Sequence, residues 1–270
     1  MEGILGATVY PVLVMGGLAA VFAVMLGVAS RVFYVEVDPR IKAVEELLPG
    51  ANCGGCGYAG CADCAAAIVR GEAPVNACVA SPPEVYEKIA KLLGKTVEAK
   101  EPQVAHIMCR GTKDKAKIRF RYMGIEDCRA AVLVAGGDKE CLYGCLGLGT
   151  CVKSCPFGAL RMGENGIPVV DRDKCTGCGT CVRVCPRGVP KLIPASQKIV
   201  TVCNNHDAPP TVKKICEVGC LGCGICKKVC PEKAIEIVNF LSVVDPSKCN
   251  LCGKCIEKCP TGAIQQILPG

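Results

Sequence analysis

The chain contains few aromatic residues and almost no histidine. None of its 270 residues is Trp, aromatic residues make up 4%, and only two residues are His. Such a composition cannot build an aromatic core. The chain is rich in cysteine instead, with 25 residues. At that density, either disulfides or bound metal must help to hold the fold together.

The marks of a secreted disulfide scaffold are missing. Such scaffolds are short, whereas this chain is long, has an odd number of cysteines and shows no cleavable signal pattern. A reducing compartment, where thiols stay free, suits the sequence better. The pattern therefore favours metal-bound thiolates.

Motifs of nucleotide binding and of acid–base catalysis are also missing. The glycine-rich stretches are cysteine loops, and the sequence contains neither G-x-x-x-x-G-K nor a strand-borne G-x-G-x-x-G. We therefore predict no catalytic residue and no nucleotide site of its own in this chain.

Charged residues are absent from Gly3 to Ser30, and about 20 apolar residues are enough to cross a bilayer. A signal peptide is disfavoured because Glu2 stands where Lys or Arg is usual. Basic residues follow the apolar stretch: Arg31, Arg40 and Lys42. By the positive-inside rule we predict a single-pass anchor at 1–32 in the cell (inner) membrane, with the rest of the chain on the cytoplasmic side.

The remaining chain divides into one small cysteine module and a duplicated one. We predict the small module at 33–95, a linker at 96–105, a first repeat at 106–200 and a second repeat at 201–270. In the small module, SPPEVYEKIAKLLGK predicts a helix with Ser81 as its N-cap.

The duplication is visible in the cysteine spacing. An offset of 75 residues relates five cysteines of the first repeat to five of the second: Cys128, Cys141, Cys145, Cys151 and Cys155 to Cys203, Cys216, Cys220, Cys226 and Cys230. An offset of 74 relates Cys175, Cys178, Cys181 and Cys185 to Cys249, Cys252, Cys255 and Cys259. Repetition of this kind marks repeated supersecondary units.

Three stretches match the bacterial ferredoxin pattern C-x-x-C-x-x-C-x-x-x-C-P, in which the fourth cysteine binds the neighbouring [4Fe–4S] cluster. They are Cys175–Pro186, Cys220–Pro231 and Cys249–Pro260. The second repeat therefore predicts one cluster on Cys220, Cys223, Cys226 and Cys259, and one on Cys249, Cys252, Cys255 and Cys230. After each Cys-Pro, PEKAIEIV and PTGAIQQI predict a short helix and then a strand.

The first repeat departs from this pattern at Leu148, which stands where the offset demands a cysteine. One complete ligand set remains, made of Cys175, Cys178, Cys181 and Cys155. Another group, made of Cys145, Cys151 and Cys185, needs a fourth thiolate from Cys109, Cys128 or Cys141.

The cysteines left over are enough for a sixth cluster. The 75-residue offset favours Cys128, Cys141, Cys203 and Cys216 for it, with Cys109 completing the group that lacks a ligand. A second grouping exchanges Cys109 and Cys128, because VAHIMC and KIVTVC both look like strands that end on a cysteine. The sequence leaves both groupings open, as well as the alternative that these cysteines are only buried packing residues.

The small module carries a further four-cysteine set, made of Cys53, Cys56, Cys61 and Cys78. Four thiolates also suit zinc. The glycines of GANCGGCGYAGC favour an Fe–S cluster, because they let backbone N–H groups approach the sulfur atoms. Cys64 is predicted to be an extra thiol on a helix, and His206 to face solvent rather than to replace a ligand.

The stretch VEVDPRIKAVEELLPGANCGGCGYAGC, directly after the apolar segment, resembles the B subunit of the Rnf complexes, which are ion-translocating ferredoxin:NAD oxidoreductases of membranes. The resemblance continues to PTGAI, and the long repeats are similar to the anaerobic branch of that family. It implies an electron-transfer subunit that accepts electrons from soluble ferredoxin and relays them to other membrane and peripheral subunits, where NAD is reduced. It also implies that Cys53, Cys56, Cys61 and Cys78 hold the membrane-proximal cluster.

The expected fold is therefore α+β: an N-terminal transmembrane helix, a small single-cluster domain and tandem ferredoxin-like repeats with about six [4Fe–4S] clusters in all. The formal charge is +7, but six clusters at about two negative charges each reverse its sign, so we expect no nucleic-acid partner. The basic run 113–121 is expected to be a solvated strand face or a docking patch. Two alternatives are a relay that reduces an iron–sulfur transcription factor and a zinc-bound interaction protein.

Overall fold

The computed structural model describes residues 2–33, 38–97 and 101–267, and its N-terminal part is one long helix. Helix α1 covers Glu2–Val32, and the mean hydropathy within Val12–Val32 reaches 2.5. No part of the described chain covers this stretch. Its length and composition are sufficient to cross a membrane. The predicted apolar helix is confirmed.

Three helices form the small module: α2 (Pro39–Leu47), α3 (Cys61–Arg70) and α4 (Pro83–Leu93). Its core takes one fully buried side chain from each helix: Val44, Ile68 and Ile89. Packing of these aliphatic side chains stabilises the three-helix arrangement. The cysteine loop of the module lies between α2 and α3.

Helix α4 contacts the segment that carries the last cysteine of the module. The Tyr86 hydroxyl donates a hydrogen bond to the backbone carbonyl of Cys78 at 2.7 Å. The predicted helix is present, but the predicted N-cap is wrong. Pro82 occupies the N-cap position, and the buried hydroxyl of Ser81 has no hydrogen-bond partner. Two consecutive prolines set the start of the helix one residue later than the serine suggests.

The strands are short and pair in antiparallel fashion. In the first repeat, β1 (Gln103–Ile107) pairs with β4 (Pro190–Pro194), and β2 (Leu160–Met162) with β3 (Pro168–Val170). In the second repeat, β5 (Ile199–Thr201) pairs with β8 (Ile264–Gln266), and β6 (Ile235–Val238) with β7 (Leu241–Val244). Each repeat thus has an inner hairpin and an outer pair that joins its two ends. With the helices, these strands confirm the α+β class.

Four short helices each carry one cluster cysteine: α6 (Thr150–Lys153), α7 (Thr180–Val184), α9 (Ile225–Val229) and α10 (Lys254–Glu257). In α7, α9 and α10 it is the third cysteine of a ferredoxin motif, and in α6 it is Cys151 of the segment that has Leu148. Each helix follows a glycine whose φ lies between 72° and 75°, a conformation that other residues rarely adopt. The helices predicted after the Cys-Pro pairs are wrong. The chain turns there instead, with Lys233 at a φ of 51° and the N–H of Ala234 donating to the Cys230 Sγ at 3.4 Å.

Two further helices differ between the repeats. Helix α5 (Cys128–Leu133) belongs to the first repeat and α8 (Pro209–Ile215) to the second, and the 75-residue offset does not superpose their positions. The cysteine offset therefore overstates the symmetry of these segments.

Two strands begin before the residues predicted to start the repeats. Strand β1 starts at Gln103, inside the predicted linker, whose residues 98–100 lie outside the described part. The strand itself is predicted from VAHIMC, and it begins one residue before that stretch. Strand β5 starts at Ile199, two residues before the predicted start of the second repeat.

Candidate metal centres

No disulfide joins any of the 25 cysteines, and most of them surround shared cavities. Five cavities are each lined by at least four thiols. A sixth group of four is defined by the thiols that interact with one another. We number the groups site 1 to site 6 in the order in which they adjoin.

Sites 5 and 6 lie in the second repeat. Site 5 is lined by Cys220, Cys223, Cys226 and Cys259. Site 6 is lined by Cys230, Cys249, Cys252 and Cys255. The structure brings together both predicted sets, and the fourth cysteine of each motif lies at the neighbouring site.

Polar groups surround the thiols of site 5. The Ser242 Oγ lies 3.5 Å from the Cys220 Sγ and 2.9 Å from the Thr201 hydroxyl. Burial acts to raise the pKa of Cys259. Hydrogen bonds from the backbone N–H groups of Ile264, Thr261 and Ala263 outweigh burial, so the pKa is lowered. These groups favour negatively charged sulfur at the site.

Sites 2 and 3 lie in the first repeat. Site 2 is lined by Cys155, Cys175, Cys178 and Cys181, as predicted. Site 3 consists of Cys128, Cys145, Cys151 and Cys185. Burial and then the charges of Cys185 and Cys128 raise the pKa of Cys151 to about 11. Burial and then the charge of Cys109 raise the pKa of Cys145 to about 12, and Cys151 adds a smaller effect. The N–H of Cys128 donates to the Thr150 Oγ1 at 2.7 Å, next to Cys151.

Site 4 lies between the two repeats. Its cavity is lined by Cys109, Cys141, Cys203 and Cys216. This is the second of the two groupings that the sequence leaves open. The favoured grouping is not brought together, since Cys128 lies at site 3.

The strands explain which cysteine reaches site 4. Strand β1 ends two residues before Cys109, and β5 ends two residues before Cys203. These two cysteines are therefore structurally equivalent, although the 75-residue offset relates Cys203 to Cys128. Cys128 instead begins α5, which differs between the repeats. The likeness of VAHIMC and KIVTVC was the signal in the sequence that identified the equivalent pair.

The basic run 113–121 connects the two repeats at this site. Ala116 forms a β-bridge with Cys216, and Ile118 forms one with Lys139. The run therefore bonds to both repeats through its backbone, but it forms isolated bridges and not the predicted strand.

Site 1 is lined by Cys53, Cys56, Cys61 and Cys78, as predicted. Cys64 lines the same cavity and is only 1% exposed. Burial and then the charge of Cys56 raise its pKa to about 12. Cys64 thus lies on a helix, as expected, but it faces the other thiols.

His206 lies away from the thiols of its loop. Its ring packs edge-on against Tyr143, with the ring centroids 5.6 Å apart. Its Nδ1 lies 3.2 Å from the carbonyl oxygen of Asn239. These contacts give the ring a structural place, and it is half-buried rather than solvent-facing.

Neighbouring sites adjoin through short contacts. At sites 1 and 2, the Arg183 guanidinium donates to the carbonyl of Cys53 at 3.1 Å. At sites 3 and 4, the N–H of Cys145 donates to the Cys109 Sγ at 3.3 Å. At sites 4 and 5, the N–H of Cys220 donates to the Cys203 Sγ at 3.3 Å.

The remaining two junctions are the crossed cysteines within each repeat. In the first repeat, Cys155 lies at site 2 and Cys185 at site 3, each away from the other cysteines of its own motif. In the second repeat, Cys230 lies at site 6 and Cys259 at site 5 in the same crossed way. The six sites therefore form one line, and site 4 joins the two repeats.

The donor set fits iron–sulfur clusters better than zinc. Within the described part of the chain, no three Cys, His, Asp or Glu side chains converge closely enough to bind a single metal ion. Zinc requires its sulfur ligands at about 2.3 Å from one ion. Thiols spaced around a cavity, with backbone N–H groups directed at several Sγ atoms, are the surroundings that a cluster requires.

Family models match the same segments. The model of the FeS family, whose description is an Fe-S cluster, matches residues 48–80. A 4Fe-4S dicluster domain matches residues 136–189, and 4Fe-4S binding domains match residues 220–234 and 242–265. The chain therefore contains several 4Fe-4S domains.

Curated relatives match nearly the whole chain. The B subunit of the proton-translocating ferredoxin:NAD(+) oxidoreductase complex of Clostridium ljungdahlii is 51% identical, over 95% of this chain and 92% of that protein. The chain belongs to this B-subunit family. The B subunit of the ion-translocating oxidoreductase complex of Methanosarcina acetivorans is 46% identical, over 93% of this chain and 96% of that protein.

A third member of the B-subunit family comes from the Na(+)-translocating ferredoxin:NAD(+) oxidoreductase complex of Acetobacterium woodii. It is 41% identical, over 96% of this chain and 78% of that protein. The resemblance stated from the sequence is confirmed. Together with α1, membership of the B-subunit family indicates that the protein associates with a membrane.

Proposed function

We propose that this chain is the electron-carrying subunit of an ion-translocating ferredoxin:NAD oxidoreductase. It accepts electrons from reduced soluble ferredoxin and passes them to partner subunits that reduce NAD. Its membership of the B-subunit family and its groups of four thiols support this role. Partners are the other subunits of the complex, ferredoxin and, through α1, the lipid bilayer.

Sites 1 to 6 each hold one [4Fe–4S] cluster, bound by the four thiolates named for that site. When bound, a cluster of this kind takes up and gives off single electrons at low potential. The chain orients four thiols at each site and donates backbone N–H groups to sulfur. Cys64 is outside this ligand set.

The single observation that carries the proposal is the position of site 4. Backbone N–H groups of Cys145 and Cys220 donate to the Sγ atoms of Cys109 and Cys203, each at 3.3 Å. Without a cluster at site 4, a gap would separate the clusters of the first repeat from those of the second. With one, the line continues from the anchored module to the end of the second repeat.

The cluster-bearing part lies on the cytoplasmic side of the membrane. Arg31, Arg40 and Lys42 follow the apolar helix, and the positive-inside rule assigns that flank to the cytoplasm. Protease treatment of inverted membrane vesicles should digest residues 38–267, whereas right-side-out vesicles should protect them. Protection in inverted vesicles would refute this orientation.

Iron analysis of the full chain, purified anaerobically in detergent, tests the cluster number. Six clusters predict about 24 irons per chain and five predict about 20. Added reduced ferredoxin should bleach the brown protein and produce EPR signals from reduced clusters. A colourless protein, or one that reduced ferredoxin leaves unchanged, would contradict the proposed function.

A further inference from the structure

Lys139 is a buried cation at site 4. Its side chain is 2% exposed and lines the same cavity as Cys109, Cys141, Cys203 and Cys216. The ammonium donates a hydrogen bond to the carbonyl of Gly111. This partner is neutral, so it satisfies a donor but leaves the charge uncompensated.

No carboxylate of the described residues forms an ion pair with Lys139. The ammonium shares its cavity with four thiols instead. An ammonium held away from water without an opposite charge is strongly unfavourable. Its burial therefore indicates that negative charge occupies the neighbouring cavity.

Gly111 holds the ammonium at the edge of this cavity. A Cβ atom at residue 111 would lie 3.5 Å from the Cys216 Sγ and 3.7 Å from the Cys109 Sγ. The carbonyl that accepts from Lys139 therefore belongs to a residue packed directly against two of the thiols.

The repeat supplies a comparison for Lys139. The residue 75 positions later is Lys214, which is exposed on α8. The cavities of sites 1, 2, 5 and 6 have no Lys or Arg in their linings. Arg110 also lines site 4, but its guanidinium points elsewhere and donates to the carbonyl of Gly262. A buried ammonium therefore distinguishes site 4 from sites 1, 2, 5 and 6.

We propose that Lys139 is the counter-charge of the cluster at site 4 and raises the reduction potential of that site. The inference rests on the proposed function. Uptake of one electron at site 4, given up by site 3 or site 5, adds one negative charge beside Lys139. The ammonium stabilises that state more than the oxidised one, so site 4 becomes a preferred resting position for an electron between the two repeats.

Anaerobic redox titration of the iron-loaded full chain, followed by EPR, tests this role. The signal of site 4 is the one that the Cys216→Ala variant lacks. Lys139→Met removes the charge and keeps the side-chain length, Lys139→Arg keeps the charge, and Lys214→Met is the matched control at the repeat-related position. Iron content is measured on every variant.

Lys139→Met should shift the midpoint potential of the site 4 signal downward, or lose that signal together with about four irons. Lys139→Arg keeps the charge and should therefore show the site 4 signal, and Lys214→Met should behave as the wild type. An unshifted site 4 potential in Lys139→Met would overturn the inference. A lost signal that Lys139→Arg does not restore would also overturn it. A wild-type chain with about 20 irons and no site 4 signal would instead refute the proposed cluster itself.

Discussion

The backbone of Gly55 lies directly against Cys178. A Cβ atom at residue 55 would sit 2.7 Å from the carbonyl oxygen of Cys178 and 2.9 Å from its Cα. The cysteine loops of sites 1 and 2 therefore touch through their backbones. This contact is where the small module meets the first ferredoxin-like repeat.

Gly55→Ala should weaken this contact. A clash of this kind costs about 1–3 kcal/mol, which shifts the docking equilibrium of the small module by roughly 5- to 150-fold. Electron exchange between sites 1 and 2 should slow accordingly, while iron content stays at the wild-type value. Rapid-freeze EPR after mixing with reduced ferredoxin measures the exchange.

The control for Gly55→Ala is Ala59→Ser, an exposed position on the same loop. It should exchange electrons at the wild-type rate. Wild-type kinetics in Gly55→Ala, with full iron content, would show that this contact does not connect the two sites.

The grouping of the central cysteines predicts which cysteine variants disturb the same EPR signal. Cys109→Ser should disturb the same EPR signal as Cys216→Ser, because both thiols line site 4. Cys128→Ser should disturb the same signal as Cys185→Ser, because both act on Cys151 at site 3. If Cys128→Ser and Cys216→Ser shared a signal instead, the offset-based grouping would be correct.

Ser242 should influence both the stability and the potential of site 5. Ser242→Ala leaves the buried Thr201 hydroxyl without its partner, which should lower the free energy of unfolding by about 1–3 kcal/mol. It also removes a polar contact to the Cys220 sulfur, so the midpoint potential of site 5 should fall. Anaerobic denaturation and EPR titration measure the two effects. Ser247→Ala, at an exposed hydroxyl bonded to Asp245, should change neither.

Cys64 is predicted to be dispensable for cluster binding. Cys64→Ser should retain the wild-type iron content, because four other thiols line site 1. Cys61→Ser, one helical turn earlier on α3, should instead disturb the cluster of that site. Iron analysis and EPR compare the two variants, and loss of iron in Cys64→Ser would place this thiol among the ligands.

Cysteine spacing predicts the local parts of the site well. The ferredoxin motifs identify sites 2, 5 and 6, because their ligands come from short loops of fixed length and a known crossed pattern. Site 1 follows for the same reason, since its first three cysteines lie within nine residues of one loop. The apolar helix is equally easy to predict, because length and composition alone identify it in the sequence.

Site 4 depends on long-range geometry that spacing does not encode. Its thiols come from both repeats, and the cysteine that reaches it is decided by where β1 ends. The offset that relates Cys128 to Cys203 is real in the sequence, but α5 changes the path of the chain. The burial of Lys139 is likewise invisible in the sequence, because its repeat-related partner Lys214 is exposed.

The most direct test of the six-site line is an iron-edge anomalous difference map from crystals of the anaerobic, iron-loaded protein. We predict six separate iron peaks in one line, including one enclosed by Cys109, Cys141, Cys203 and Cys216. A map without iron in that central cavity, or with Cys128 as a ligand there, would contradict that prediction.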